Sequence, residues 1–431
     1  MKKLTYILAV AVLIFSVESS WADEKAVSKN PAYGTEFEEL KHRVEELEKR
    51  IKDGETVDEL GHKLHPIHSI YGLKMSGGLT MTAQGSDYKN NKGAGALSAD
   101  IVIESPVGKD GRVISVLDFQ RGAGLQNLPS FLTSPNGNTT GANNDIESFN
   151  NDQLHVAQFL YEHNITSNLV VSIGQLDPTS YFDSNLYANN ERVHFLANQF
   201  ANNPTIEFGA SENFYGPGIR LTYSPAELLD ITIAAFEGDG DYADIFDNPF
   251  LMAEADFKVK PFDKGGTYRI YYWSRKARPD ITNAANPNDA TLIDKENSGV
   301  GLSIEQAITD TVGIWLRGGT QNEKVAQFDK HISGGLNIAG EMINRPDDVI
   351  GLGYGATFMG KEYKDYKTSS SAGFSSDTEQ YMELYYNISI NEASVFRGFH
   401  ISPDVQYVIN PGGDANASRL FIYGIRLQAF F

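Results

Sequence analysis

Apolar and polar side chains alternate one by one along much of this chain, which is the pattern of β-strands. Near the end, alternate positions are apolar from Ile401 to Ile409 and again from Phe421 to Phe431. Successive side chains on a strand point to opposite faces, so each run has one apolar and one mainly polar face. The intervening Asn410-Pro411-Gly412-Gly413 predicts a tight turn. The two runs therefore form a predicted hairpin.

The same period of two predicts fourteen further strands upstream of this hairpin. Their predicted ranges are 71–84, 96–105, 112–120, 153–163, 169–176, 218–224, 230–237, 250–260, 267–275, 298–306, 311–319, 331–339, 348–359 and 377–390. With the final pair the total is about sixteen, an even number in the range of membrane β-barrels.

The connections between these strands alternate in length. Those after odd-numbered strands are long and rich in Asn, Ser, Gly and Asp, namely 121–152, 177–217, 276–297 and 360–376. Those after even-numbered strands are short, namely 106–111, 164–168, 225–229 and 261–266. Long loops at one end and short turns at the other are typical of outer-membrane barrels, whereas a soluble β-sandwich has no reason to sort its loops. Residues 69–431 are therefore predicted to form an all-β fold, a transmembrane antiparallel β-barrel with both termini in the periplasm.

The first 22 residues have the pattern of a secretory signal peptide. A basic start at Lys2 and Lys3 precedes an apolar segment, and small residues surround Ala22. The alternative is a membrane anchor, but the apolar segment is shorter than the roughly 20 residues that a spanning helix needs. We expect cleavage after Ala22 and export to a Gram-negative outer membrane.

Residues 23–68 form a predicted periplasmic segment that contains a short helix. Its apolar residues repeat at intervals of three and four over 35–53, at Phe37, Leu40, Val44, Leu47 and Ile51. One interpretation is an amphipathic helix on its own, and the other is a coiled coil that makes the protein a homo-oligomer. His62, His65 and His68 follow around Pro66, which interrupts any helix there, so we assign them to a linker.

Two sequence segments carry a family resemblance. Residues 401–413 resemble the penultimate strand and hairpin of the carbohydrate-selective porins, the OprB-like family, and 345–353 resemble another strand of that family. Weaker similarity covers 171–176 and 218–238. The resemblance implies a barrel of sixteen strands that admits sugars.

The polar faces of the strands predict a mixed, water-filled interior. Charged and aromatic side chains share it, and the candidate pore-lining residues are Arg220, Arg269, Trp273, Arg275, Trp315, Arg317, Glu383, Asp404 and Arg426. Charged groups can hydrogen-bond to sugar hydroxyls, and aromatic rings can hold the C–H faces of sugars. The alternative is an unselective lumen, because any porin interior is polar.

The connection 177–217 is unusually aromatic for a solvated loop. It contains Tyr181, Phe182, Tyr187, Phe195, Phe200, Phe208, Phe214 and Tyr215. One hypothesis is that it folds into the channel and narrows it, and the other is an outer cap whose rings pack on neighbouring loops.

Composition excludes several other functions. A net charge of −20 is unsuited to nucleic acid, and the absence of cysteine excludes disulfides and thiolate metal sites. No catalytic, cofactor or metal motif is recognisable, so we predict no enzyme and no cofactor. The predicted partners are the outer-membrane bilayer and sugars or other small hydrophilic solutes. The alternatives are a receptor-like pore for another solute, such as a siderophore, and a structural outer-membrane protein.

Overall fold

The chain divides into two units, residues 1–67 and 68–431, of which the computed structural model describes the second. The described residues are 72–88, 93–122, 124–125, 128–131, 135–137, 153–208, 215–238, 242, 245–247, 249–278, 295–390 and 398–431. The predicted signal peptide, the 35–53 helix and the three linker histidines lie outside these residues.

Sixteen strands run through the described residues. They are β1 (Lys74–Ser86), β2 (Ala94–Val107), β3 (Gly111–Arg121), β4 (Gln153–Thr166), β5 (Leu169–Leu176), β6 (Gly216–Ala226), β7 (Leu229–Phe236), β8 (Phe250–Val259), β9 (Gly266–Arg278), β10 (Lys295–Ala307), β11 (Val312–Thr320), β12 (Phe328–Gly340), β13 (Arg345–Met359), β14 (Glu379–Ile390), β15 (Gly398–Ile409) and β16 (Leu420–Phe430). Two α-helices lie in connections, α1 (Asn198–Ala201) and α2 (Lys361–Ser370), together with 3-10 turns at Pro178–Ser180, Pro261–Asp263, Glu341–Ile343 and Pro411–Gly413. No helix of the described ranges is long and apolar enough to cross a membrane.

Every strand pairs antiparallel with its neighbours in sequence, and β1 pairs with β16 to close the barrel. Closure continues to the last residue, because Gly77 and Phe431 exchange two backbone hydrogen bonds of 3.1 and 3.0 Å. Closure satisfies the backbone groups that an open sheet edge would leave unpaired in lipid. The predicted barrel is confirmed, with strand ends that differ by a few residues.

The alternation of faces is as predicted. On β16, Phe421, Tyr423 and Ile425 are exposed on the outer surface, whereas Arg426 and Gln428 are buried inside. A lipid-facing wall needs apolar side chains, and the interior takes the polar ones. The long connections, including 122–152 and 177–215, all leave odd-numbered strands, so they gather at one end of the barrel.

Candidate functional site

The described part of the connection between β5 and β6, residues 177–208 and 215, enters the barrel, and we call it the inner loop. Phe182, Phe195 and Phe200 on this loop are 0% exposed. Its contacts reach inward side chains of β8, β11, β14 and β16, which lie on different sides of the wall. A loop that reaches all of these strands crosses the lumen, so the inward-folding hypothesis is confirmed over the outer cap.

A buried ion pair anchors the first part of the inner loop. Arg317 Nε on β11 lies 3.2 Å from Asp183 Oδ2, and both side chains are fully buried. Arg317 also donates to the backbone carbonyl of Asp183 at 2.7 Å. On the opposite side, the backbone N–H of Asp183 donates to Glu254 Oε2 at 2.8 Å. Arg317 supplies the opposite charge for the buried Asp183 carboxylate, and the loop is fixed there from two strands.

A second anchor holds the middle of the loop by its backbone. The Glu383 carboxylate on β14 accepts the N–H of Leu196 and, at 2.9 Å, the N–H of Ala197. Arg426 on β16 donates to the carbonyl oxygens of Glu191 and His194, the latter at 2.9 Å. Carboxylate and guanidinium are the strongest acceptor and donor groups in proteins, so these bonds fix the loop tightly.

Asp404 completes this group. It lies beside Glu383 and Arg426 on the inner wall and accepts from Gln406 Nε2 at 2.9 Å. Two carboxylates and one guanidinium therefore share a buried patch of the wall beneath residues 191–197. Loop backbone, rather than solvent, covers this patch.

The two inward tryptophans lie flat against the wall beneath the loop. Trp273 is paired with Gly299 and Trp315 with Gly335 on the adjacent strands, and a Cβ at either glycine would approach the indole to 2.6 Å. The opposite side of Trp315 contacts Phe195, with ring centroids 5.3 Å apart. Because glycine has no side chain, the indole ring of the neighbouring tryptophan can occupy the space above it. The inner loop then covers the ring on the side of the lumen.

Part of the connection between β3 and β4 also folds inward, and we call its described residues 124–125, 128–131 and 135–137 the second loop. Gln84 and Gln406 both donate to the Pro135 carbonyl, at 2.9 and 2.8 Å, and Asn136 donates to Thr82 at 2.7 Å. Gly137 N donates to Leu196 O at 2.6 Å, which ties the second loop to the inner loop.

Apolar side chains support the same placement of the second loop. Leu125 and Leu128 are buried against inward residues of β15 and β16, namely Val408, Leu420 and Ile422. These inward apolar residues interrupt the polar face of the two strands at the end where the second loop packs. The loop therefore covers the β14–β1 side of the lumen.

A polar cavity of about 450 Å³ remains between the inner loop and the wall formed by β2, β3 and β4. Its wall side presents Ser98, Asp100, Val102, Val116, Asp118, Gln120, Ala157 and Gln158. Its loop side presents Gly137, Asp177, Thr179, Ser180, Asn189, Asn190, Glu191, Arg192, Asn198, Ala201, Asn202 and Tyr215. This size is within the range of small-molecule sites, and the polar groups of the lining are hydroxyls, amides, carboxyls and the guanidinium of Arg192.

Ionisable groups of the inner loop are perturbed by burial. Burial raises the pKa of Glu191 to about 7 and lowers that of Arg192 to about 10. Burial and the nearby Arg426 lower the pKa of His194 to about 4, so His194 is neutral at physiological pH. Among the described residues, no group of three or more His, Cys, Asp or Glu side chains is arranged to hold a metal ion.

All nine candidate pore-lining residues face inward, but the loops cover most of them. Trp273, Arg275, Trp315, Arg317, Glu383, Asp404 and Arg426 are buried. Arg275, for example, donates to the Glu207 carbonyl of the inner loop at 3.0 Å. Arg220 and Arg269 keep side-chain exposures of 14% and 10%. Strand alternation predicts the inward direction correctly, whereas the loop that covers the side chains is a tertiary feature.

The candidate pore-lining residues chosen from the sequence do not include the wall of this cavity. The alternation along β2 and β3 does place Ser98, Asp100, Asp118 and Gln120 on the inward face, so the signal was present in the sequence. The signal for the second loop was weaker, because Leu125 and Leu128 stand at the edge of a stretch rich in Asn and Gly.

Comparison with known proteins places the chain in a family. The model of the carbohydrate-selective porin family, OprB, matches residues 125–431. No curated protein matches the sequence.

Solved structures share the fold. The high-pH structure of Pseudomonas putida OprB is 16% identical, with a TM-score of 0.67, over 84% of this chain and 94% of that one. The low-pH structure of the same protein is 13% identical, with a TM-score of 0.51, over 84% and 93%. The outer-membrane channel DcaP of Acinetobacter baumannii is 12% identical, with a TM-score of 0.52, over 85% and 99%.

Proposed function

Because this chain belongs to the OprB family of carbohydrate-selective porins, we propose that its solutes cross the barrel through the cavity between the inner loop and β2–β4. The protein is an outer-membrane porin through which carbohydrates diffuse. This assignment favours the porin over the siderophore receptor and the structural protein among the predicted functions.

One observation carries the choice of passage, namely that the two loops cover different parts of the inner wall. The inner loop lies mainly against β8–β14 and reaches Arg426 on β16, and the second loop lies against β14–β1. The wall of β2–β4 keeps a polar cavity in front of it. Sugar hydroxyls both donate and accept hydrogen bonds, and the amide, hydroxyl and carboxyl groups of this lining can exchange bonds with them.

The nine candidate pore residues then have two roles. The buried seven lie beneath the loops that shape the passage, and Arg317, Glu383 and Arg426 hold the inner loop through its backbone atoms. Arg220 and Arg269 retain side-chain exposures of 14% and 10% and do not line the cavity, so they remain candidates for contact with solute elsewhere along the lumen. Guanidinium groups donate several hydrogen bonds in one plane, which suits vicinal hydroxyls.

The proposed passage is tested by filling it. Ala157 lines the cavity and is buried, so Ala157→Trp places an indole in the passage. We expect single-channel conductance and glucose-driven liposome swelling to fall severalfold. The matched control is Ala99→Trp, which adds the same side chain to the lipid-facing side of β2, where a large apolar residue is tolerated.

The two variants separate blockage from misfolding. Both proteins must show the gel mobility shift on heating that folded barrels give. Normal conductance and swelling in a folded Ala157→Trp protein would reject this passage while leaving the family assignment intact.

A further inference from the structure

The lining of the cavity carries an excess of carboxyl groups. Asp100, Asp118, Asp177 and Glu191 face it, and Arg192 is the one guanidinium among its lining residues. Arg192 forms an ion pair with Asp100, which neutralises that carboxylate. Asp118 and Asp177 are the further carboxyl groups that give the passage its negative charge.

Asp118 and Asp177 are held by neutral donors along the passage. Asp118 accepts from Gln120 Nε2 at 2.8 Å. Asp177 accepts from the backbone N–H of Thr179 at 2.9 Å, from the Thr179 hydroxyl and from the Ser180 hydroxyl. These bonds orient the carboxylates without cancelling their charge. The field of both carboxylates thus extends into the cavity.

A second observation indicates that the cavity receives a polar ligand. Ser98 on β2 is 5% exposed and lines the cavity, and its Oγ has no hydrogen-bond partner in the described structure. Buried hydroxyls are nearly always bonded, and an unbonded one costs free energy unless a ligand or water completes it. Ser98 stands two residues before Asp100 on the same inward face, beside the charged part of the passage.

From these groups we infer that the passage is a charge filter that favours cations and neutral or aminated sugars over anionic ones such as sugar acids and sugar phosphates. An anion in the cavity meets uncancelled carboxylates in a narrow space with low-dielectric walls, where charge interactions are strong. A neutral sugar lacks this repulsion and bonds to the same oxygens.

This inference rests on the proposed passage and is tested by reversal potentials of the purified porin in a planar bilayer under a KCl gradient. We expect the ratio of K⁺ to Cl⁻ permeability to exceed one. It should fall by about two-fold or more in the double variant Asp118→Asn and Asp177→Asn, since each change removes one charge from the passage. Asparagine keeps a side-chain oxygen for the hydrogen bonds of Thr179 and Ser180.

The control removes a carboxylate elsewhere in the barrel. Asp230 on β7 is paired with Lys258 at 2.7 Å and does not line the cavity. Asp230→Asn should leave the permeability ratio unchanged. In liposomes, glucosamine and glucose should enter faster than glucuronate in the parent porin, and the double variant should narrow this difference.

Glu191 adds a dependence on pH. Its pKa is raised to about 7 by burial, and the charged groups that face it are Asp118, Asp177 and Arg426. Lowering the pH from 8 to 6 protonates Glu191, so the cation preference should fall over this window. In Glu191→Gln the ratio should stay at its low value across the same range.

The outcomes distinguish the two proposals. A parent porin that takes up glucose but shows a ratio near or below one overturns the charge filter alone. A ratio above one that is identical in the double variant overturns it also. Unaltered conductance in Ala157→Trp instead overturns the passage itself.

Discussion

At the residue scale, a buried ion pair fixes the inner loop to the barrel wall. Arg317 and Asp183 are both inaccessible to solvent, and the guanidinium also bonds to the loop carbonyls of Asp183 and Phe200. Removing one member of a buried pair leaves the other charge desolvated and unpaired, which costs about 3–5 kcal/mol.

We therefore expect Arg317→Ala to loosen the inner loop. Single-channel conductance should rise, and the barrel should lose its compact gel form at a lower temperature. The double variant Arg317→Met with Asp183→Asn removes both charges, so it should recover part of the thermal stability.

Arg419→Ala is the surface control, because Arg419 lies in the exposed connection before β16. If Arg317→Ala has the same conductance and the same thermal transition as this control, the ion pair does not hold the loop.

At the scale of the element, pairs of an aromatic ring and a glycine on adjacent strands determine how the inward rings lie on the wall. Tyr271 faces Gly301 and Tyr385 faces Gly351, as Trp273 and Trp315 face their own glycines. Period-two reasoning predicts that these rings point inward. It does not predict that they lie flat on the wall, since this depends on the register between strands, which a single sequence does not specify.

The closing strand gives a prediction at this scale. Removing Phe431 deletes its two backbone hydrogen bonds to Gly77 and the ring that packs over Gly77. We expect less folded barrel in the membrane fraction, since closure is shortened at a sheet edge that lipid cannot solvate.

Phe431→Ala separates the two contributions because it keeps the backbone bonds. An intermediate yield would assign part of the effect to the ring. Equal yields from the parent and the deletion would show that closure does not need the last residue.

For the molecule as a whole, the barrel was predictable and its interior was not. Each strand can be recognised from the local alternation of apolar and polar residues. The lengths of the connections alone indicate which end of the barrel carries the long loops. The placement of the inner loop depends on contacts more than a hundred residues apart, such as Ala197 with Glu383. Its many aromatic residues showed that it must be buried, but two burial sites were compatible with the sequence.

One whole-molecule prediction concerns the segment before the barrel. The apolar residues Leu40, Val44 and Leu47 predict an association between chains through 35–53, because a short amphipathic helix gains stability from a partner. Chemical cross-linking of the membrane-bound porin should trap oligomers. Changing these three residues to Gln should abolish the cross-linked species while leaving conductance unchanged.

A substituted protein that cross-links like the parent would rule out this coiled coil. Lost conductance would instead show that the segment contributes to the channel. Both readings require that the barrel still folds, which the heat-dependent gel shift reports.

Two anchors of the inner loop, Glu383 and Arg426, bind its main chain, so the side chains of the loop segment that they hold can vary. Glu383 holds two N–H groups, and Arg426 holds two carbonyls, one of them belonging to Glu191. Every residue type except proline offers the same main-chain atoms. The side chains of Asn190 and Glu191, which face the cavity, can therefore be replaced while these main-chain bonds are kept, whereas Arg192 is held by the ion pair of its own side chain with Asp100. Pores of new selectivity can be engineered on this frame.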